Sequence, residues 1–333
     1  YLSRWARLGS PMELESPLPK DGEWETIEQF QTYTLRYNKS RWITIEGLLE
    51  HWEPARVVVQ IRTTEAGKEV RILTKNVTAF ELKALDDEEM NERLGTLTTI
   101  DGKPVDRGPV RISRGRNPQS VSFVFDGTNW HAGSGRSSDI ALHKRHGLQG
   151  PIDDAFLDAF IFVKPTMKGL SPEVDKWVQS EFDHAVTHWR QQMRGDARVK
   201  LDTEITKEDM EDANVVFWGD PRSNDALIQV FDELPVTWNL KENVVHAGEQ
   251  KFDAAHHVPI MIYPNPLNPK RYLVLNSSFT YREYDYLNNA RQTPKLPDWA
   301  IVDVRTPPNS RWPGKIVAAD FFDEDWQLKP AKK

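Results

Sequence analysis

The sequence predicts an α+β multidomain protein, in which a β-sandwich-like domain is followed by an α/β domain with a mainly parallel sheet. Three observations predict this fold class. The 333 residues exceed the usual length of one domain. Short strands with turn dipeptides between them fill residues 30–145. Strand-like and helix-like segments then alternate over residues 146–328.

Residues 1–29 are a predicted lead-in or linker, because residues 9–25 are rich in Pro, Gly and Glu and show no apolar period. The chain begins with Tyr1 rather than Met, and no signal segment is recognisable at this end. We therefore expect the chain to be a piece of a longer protein or a processed form.

The predicted β-rich domain consists of segments in which apolar and polar residues alternate, as in half-buried strands. The turn dipeptides Asp101-Gly102 and Asp126-Gly127 each follow one of these segments. The charged segment 86–93 is predicted to be a short exposed helix or a loop. Strands are predicted over residues 31–37, 41–45, 55–61, 69–73, 77–82, 97–100 and 120–125.

The predicted α/β domain begins with a short apolar run over residues 159–163, which is typical of a buried parallel strand. Ser171 and Pro172 then form a predicted N-cap and first helical turn, and apolar residues at helical spacing follow until Gly195. A second, short helix is predicted over residues 206–212. Further strands are predicted over residues 215–218, 258–263, 272–275, 299–302 and 316–318.

Composition narrows the classes of partner. The net charge of −7 leaves no dominant basic surface, so nucleic acid is not an expected partner. No run of about 18 apolar residues exists, so no membrane span is predicted. The chain contains no cysteine, which excludes disulfides, thiolate metal sites and cysteine nucleophiles.

No complete catalytic motif is present in the sequence. A hydrolase nucleophile turn reads Gly-x-Ser-x-Gly, and the nearest segment, around Ser137, ends in Asp139 instead of glycine. No glycine-rich phosphate-binding motif occurs, so we predict no cofactor. His184 and His188 share one helix face beside Asp183, but a metal site needs at least three convergent ligands, and none is predicted.

The first candidate ligand site is formed by Gly219, Asp220, Ser223 and Asn224, which follow a predicted strand and open a predicted helix over residues 227–234. Loops at this edge of an open α/β sheet bind ligands through backbone N–H groups. An alternative needs no ligand: the glycine makes a turn, Ser223 or Asn224 caps the helix, and Asp220 bonds within the loop.

Two further polar runs supply candidate ligand-binding residues for an anionic or peptide ligand in a polar cleft. Adjacent carboxylates point in different directions, so they do not form a glycosidase pair. The alternative is structural, with a carboxylate that caps a helix and arginines in ion pairs. The candidates are Asp153, Asp154, Asn265, Arg271, Arg282, Asn288 and Arg291.

Several segments together resemble a known protein family. They are residues 34–38, 42–48, 50–52, 55–57, 74–80, 147–156, 217–224, 263–272 and 284–291. These segments resemble the carboxyl-terminal region of large exported bacterial proteins of the prolyl-oligopeptidase family of serine hydrolases. The resemblance covers nearly the whole chain from about residue 30 onward.

The resemblance implies an accessory, non-catalytic region that packs on or gates an upstream hydrolase domain, or a separate hydrolase chain, in an extracytoplasmic setting. The catalytic serine of such proteins lies in that other domain, so the resemblance assigns no catalytic residue here. An accessory region predicts an exposed apolar docking surface rich in tryptophan.

Two alternatives remain open at this stage. The α/β domain has its own small-ligand or hydrolytic site near residues 219–224, which predicts a cleft where the candidate side chains converge. Otherwise the β-rich domain is a carbohydrate- or peptide-binding module that uses exposed Trp42, Trp52 or Trp130. Burial of these tryptophans would remove the last alternative.

Overall fold

The computed structural model divides the chain into two compact units, Tyr1–Ala141 and Leu142–Lys333. The segment 86–93, Ser137 and most of the predicted lead-in lie outside the described residues. The structure describes residues 24–64, 67–83, 98–107, 120–133 and 142–330.

The first unit is built of short strands. They are β1 (Glu25–Thr32), β2 (Lys39–Ser40), β3 (Ile43–Leu48), β4 (Ala55–Thr64), β5 (Gly67–Lys75), β6 (Val77–Lys83), β7 (Thr98–Ile100), β8 (Lys103–Pro104), β9 (Asp106–Arg107), β10 (Ser120–Phe125) and β11 (Trp130–Gly133). One sheet has the order β1-β4-β5-β7-β8, and the other has the order β2-β3-β6-β10-β11-β9. The pairs β5–β7 and β9–β11 are parallel and the other described pairs are antiparallel.

The two sheets of this unit share one hydrophobic core. Val57 and Ile72 of the first sheet belong to the same buried cluster as Ile45 and Phe80 of the second. Phe80 stacks on Phe123 of the neighbouring strand at 4.9 Å between ring centroids. Alternation along β3, where Ile43 and Ile45 are buried and their neighbours half-buried, places one face of the sheet in this core.

The strand predicted over residues 31–37 is wrong in its second half. β1 ends at Thr32, and Leu35–Tyr37 form a 3₁₀ turn. The Thr34 hydroxyl accepts a hydrogen bond from the Arg36 N–H at 3.2 Å, and the Thr32 hydroxyl donates to the Thr34 carbonyl. Threonine side chains here bond to local backbone and so compete with strand pairing.

The second unit contains a seven-stranded sheet, a three-stranded sheet and two described α-helices. Its helices are α1 (Pro172–Met193) and α2 (Lys207–Asp212). Its strands are β12 (Phe160–Lys164), β13 (Val199–Leu201), β14 (Asn214–Phe217), β15 (Val236–Asn239), β16 (Val244–Ala247), β17 (Gln250–Asp253), β18 (His257–Asn265), β19 (Asn268–Leu275), β20 (Trp299–Asp303) and β21 (Lys315–Asp320).

The predicted α/β domain with a mainly parallel sheet is wrong. The large sheet has the order β13-β12-β14-β19-β18-β20-β21, in which the pairs from β13 to β19 are parallel and those from β19 to β21 antiparallel. The small sheet, β15-β16-β17, is antiparallel throughout. The described structure is therefore mostly β, with mixed and antiparallel sheets.

Two local features explain this error. Asn265 pairs with Asn268, so β18 and β19 are joined by a tight turn, and a tight turn can connect only antiparallel strands. The helix predicted after Asn224 is replaced by two 3₁₀ turns, Leu227–Gln229 and Phe231–Glu233, so no long helix crosses the sheet at this point.

Both helices predicted near the start of this domain are confirmed. Ser171 caps α1 through a hydrogen bond from the Glu173 N–H, and Pro172 occupies the first turn. Thr206 and Asp209 form a capping box at the start of α2, in which each side chain accepts from the other residue's backbone N–H. Within the described residues, no helix is both long and apolar enough to cross a bilayer.

A buried ion pair joins three segments of the second unit. Lys144 Nζ lies 2.6 Å from Asp298 Oδ2, and both side chains are fully buried. Lys144 Nζ also donates to the Phe322 carbonyl at 3.3 Å. A Cβ atom at Gly150 would lie 2.1 Å from Asp298 Oδ1, so only glycine permits this close approach.

We expect Lys144→Ala to lower the free energy of unfolding by about 3–5 kcal/mol, because it leaves the Asp298 carboxylate buried without its cation. Urea denaturation measures the change. Lys270→Ala is the control, since Lys270 is exposed, and it should shift stability by less than about 0.5 kcal/mol. Equal midpoints for the two variants would contradict the role of the pair.

Candidate functional site

The loop after β14 contains four of the predicted site residues, and its side chains hold the loop itself. Asn224 is fully buried. Its amide donates to the Trp218 carbonyl at 3.0 Å, and its carbonyl accepts from the N–H groups of Ala226 and Leu227. Gly219 has φ +96°, and a Cβ atom there would lie 2.2 Å from Ser223 Oγ. The turn therefore requires glycine at position 219.

Asp220 binds the neighbouring loop after β12. Its carboxylate accepts hydrogen bonds from the backbone N–H groups of Leu170, Arg222 and Ser223 at 2.8–3.1 Å. Burial raises the pKa of Asp220, against the effect of these three donors. Asp175, which accepts from the Gly169 N–H at 2.9 Å, contributes to the same rise.

The Ser223 hydroxyl takes part in the same turn. Ser223 Oγ accepts from the Asp220 N–H at 2.9 Å and donates to the Asp220 carbonyl at 3.1 Å. A serine nucleophile needs its hydroxyl bonded to a general base. The contacts of this hydroxyl match the alternative in which the residues of the loop form a turn without a ligand.

Asp153 and Asp154 lie in the 3₁₀ turn Ile152–Leu157 and make different buried contacts. The Asp153 carboxylate accepts from the Thr280 N–H at 3.0 Å and from the Thr280 hydroxyl at 2.6 Å. The Asp154 carboxylate accepts from the Tyr272 hydroxyl at 2.7 Å, which itself accepts from the Gly150 N–H at 3.1 Å. Burial and Asp154 together hold the pKa of Tyr272 well above its usual value.

Asn265 and Arg271 lie at the opposite edge of the sheet from the 219–224 loop. The side-chain oxygen Oδ1 of Asn265 accepts a hydrogen bond from the Leu267 N–H within the β18–β19 turn. Arg271 Nη1 lies 2.7 Å from Asp158 Oδ2. Because β14 and β19 are parallel, this turn marks the amino edge of β19, whereas the 219–224 loop follows the carboxyl edge of β14.

Arg282 forms a second buried ion pair. Its Nη1 and Nη2 donate to the two carboxylate oxygens of Glu181 on α1 at 2.6 and 3.2 Å. Asn288 and Arg291, in contrast, are exposed. The guanidinium carbon of Arg291 lies 5.3 Å from the centre of the Tyr284 ring.

The structure therefore groups the candidates into separate places rather than one cleft. Gly219, Asp220, Ser223 and Asn224 share one loop. Asp153 and Asp154 belong to buried contacts of the 3₁₀ turn, and Asn265 and Arg271 lie at the amino edge of β19. Asp154 contacts the Tyr272 side chain, whereas Gly219 contacts Asn276, four positions further along the chain.

A buried histidine on α1 was not among the predicted site residues. His188 is 2% exposed, and neither ring nitrogen has a hydrogen-bond partner in the described structure. The rings of Tyr281 and Tyr286 pack against it at 5.0 and 5.5 Å between centroids. Burial, with the nearby His184, lowers the pKa of His188 to about 4. The i, i+4 spacing with His184 was the available signal, but it does not reveal the tyrosines.

Trp42, Trp52 and Trp130 of the β-rich unit do not form an exposed platform. Trp130 is buried against Phe80 and Phe125, and Trp42 and Trp52 are half-buried. Burial therefore removes Trp130 from a carbohydrate-binding surface, and Trp42 and Trp52 expose only part of their side chains. Over the described part of the chain, no three His, Asp or Glu side chains converge as metal ligands.

Comparisons of the chain with protein-family models, with curated proteins and with solved structures find no match. The candidate sites therefore rest on their own geometry.

Asp153→Asn should reveal the cost of ionising the buried carboxyl. Burial raises the pKa of Asp153 from 3.8 to about 6. The unfolded chain then loses this proton first, so the contribution of Asp153 to stability is complete below about pH 4 and is lost as the pH rises to about 6. The free energy of unfolding of the wild type minus that of the variant should fall by about 2.4 kcal/mol between pH 4 and 7.

His188→Leu should show the opposite pH dependence. The pKa of folded His188 is about 4 against 6.5 for an ordinary histidine, so the unfolded chain binds the proton first as the pH falls. The free energy of unfolding of the wild type minus that of the variant should rise by about 3 kcal/mol between pH 4 and 7. Parallel curves in urea titrations at several pH values would contradict the burial of a neutral imidazole.

Proposed function

We propose that this chain is a non-catalytic accessory region that packs on the serine hydrolase domain of an exported protein. The observation that carries the proposal is the internal use of the polar side chains best suited to bind a substrate. Asp153, Asp154, Asp220, Ser223 and Asn224 direct their hydrogen-bonding atoms to the chain's own backbone and side chains.

The energetics of these buried contacts favour a scaffold over a reactive site. A ligand that replaced these contacts would have to break buried hydrogen bonds, and each buried group left without a partner costs about 1–3 kcal/mol. Asn276 shows the same use of a polar side chain, because its amide group bonds both the N–H and the carbonyl of Gly219 at 2.7 and 3.0 Å. These contacts tie β19 to the loop that follows β14.

The identity of the partner in this proposal comes from the sequence resemblance. The similar exported proteins carry their catalytic serine in an α/β-hydrolase domain outside the region that this chain resembles. An extracytoplasmic location, a peptidase or esterase partner and the gating of that partner's active site belong to the same proposal.

The docking surface differs in composition from the expected one. Every tryptophan in the described residues is buried or half-buried, so none offers a free docking side chain. The large apolar side chains that the described structure exposes are Tyr37, Leu49, Leu157, Met167, Met193, Val199, Leu201, Ile228, Leu267, Tyr284, Leu287 and Val317. A docking surface for a hydrolase would use side chains of this kind.

A fluorophosphonate probe followed by intact-mass measurement tests where the chemistry resides. We expect no added mass on this chain, because the serine hydroxyl of its candidate sites, that of Ser223, contacts only the Asp220 backbone and no general base. The natural chain that includes the hydrolase domain should gain one probe mass on that domain. Heat-denatured samples are the control for non-specific labelling.

The packing of the two parts needs a separate measurement. Sedimentation of this chain mixed with the separately purified hydrolase domain should show a complex. A one-probe mass increase on this chain that is lost on heating would overturn the accessory role, and Ser223→Ala would then show whether Ser223 is the labelled group. Two species that sediment independently would contradict the packing.

A further inference from the structure

An exposed tyrosine on the second unit has an arginine close to its ring from each of two neighbouring loops. Tyr284 lies in the 3₁₀ turn Glu283–Leu287, and its N–H donates to the Ser310 carbonyl at 3.0 Å. This contact brings Arg311 to the ring, with its guanidinium carbon 3.7 Å from the ring centre. Arg291, from the following 3₁₀ turn, lies 5.3 Å from the same centre.

The neighbouring carboxylates are engaged with other cations. Glu283 lies 2.7 Å from His184 Nε2, and Asp285 lies 3.3 Å from Lys295 Nζ. Neither Arg291 nor Arg311 has an ion-pair partner among the described residues. Two guanidinium groups thus remain without a carboxylate on a chain whose net charge is −7.

The ring contacts orient these guanidinium groups without using their hydrogen-bond donors. A guanidinium that stacks on an aromatic face keeps the N–H groups at its edge available for a carboxylate. Because the ring already restricts the two side chains, a carboxylate that binds them loses less conformational entropy than it would with free arginines.

The surroundings of the ring are those of a protein interface. Tyr284 is 40% exposed and Leu287 is 74% exposed, and the exposed amides Asn288 and Asn289 lie beside them in the chain. Tyrosine and arginine are enriched among the residues that dominate binding energy, and an exposed leucine adds apolar area.

We propose that the face formed by Tyr284, Leu287, Arg291 and Arg311 binds an acidic, partly apolar segment of a partner protein. Carboxylates of the segment pair with the two guanidinium groups, and an apolar side chain covers Leu287. The proposal rests on the contacts of this face and not on the hydrolase partner proposed above.

Fluorescence anisotropy with a labelled peptide rich in Glu and Leu tests the proposal. We expect binding that weakens as the salt concentration rises, because the ion pairs are exposed to solvent. The double variant Arg291→Gln with Arg311→Gln should bind about tenfold more weakly or worse. Tyr284→Ala should also weaken binding, although both arginines remain, because it removes the ring that orients them.

Matched controls separate this face from general charge attraction. Arg222→Gln removes one exposed arginine other than the two that lie over the Tyr284 ring and should leave binding unchanged. The same peptide with Lys in place of Glu should not bind. Circular dichroism melting curves of all variants should overlay that of the wild type, since the altered side chains are exposed.

Three results would overturn the proposal. The first is equal affinity of the wild type and the double variant for the acidic peptide. The second is binding of heparin, a sulfated polysaccharide, without binding of the peptide. The third is self-association of the chain that the double variant abolishes while the peptide fails to bind, which would assign the face to a second copy.

Discussion

The buried ion pair between Lys144 and Asp298 is the constraint on which the assembly of the second unit depends. Because an isolated charge is much costlier to bury than a pair, each residue can be buried only with the other. Asp298 also accepts from the Phe322 N–H at 3.0 Å, and the Lys144 N–H donates to the Glu324 carbonyl at 2.7 Å. These contacts join the segment before β12, the residue that precedes β20 and the segment after β21.

Other buried polar contacts of the second unit also join segments that are distant in sequence. Arg282 joins the segment after β19 to Glu181 on α1 through two hydrogen bonds. The Thr280 hydroxyl donates a hydrogen bond to the Asp153 carboxylate and accepts one from the Lys295 N–H at 2.7 Å, so one hydroxyl connects three segments. Each contact joins positions that are distant in sequence, and each is satisfied only in the native arrangement of strands. The polar interior thus specifies how the mixed sheet is assembled, in addition to the apolar core.

The parts of this fold that depend on local sequence could be predicted, and the parts that depend on distant partners could not. Ser171 and Pro172 begin α1 as predicted, because an N-cap serine and a first-turn proline affect only the backbone of their immediate neighbours. The direction of β18 against β19 depended on the length of their turn, which the residue types left open. Lys144 resembles a surface lysine in the sequence, and its partner is 154 positions away.

The candidate site shows the same limit. Gly219, Asp220, Ser223 and Asn224 lie in one loop because they are close in sequence. Their partners Leu170 and Asn276 come from other segments of the chain and show what the polar atoms of the loop are used for. Among the described residues, Tyr284, Arg291 and Arg311 combine exposure, charge and an aromatic ring, and the two arginines have no ion-pair partner there. Recognition requires groups that can exchange water for a partner, and buried groups that already hold the fold together cannot do so without unfolding it. The binding that we propose for the described part of this chain therefore uses its surface loops, and the sheet holds those loops in place.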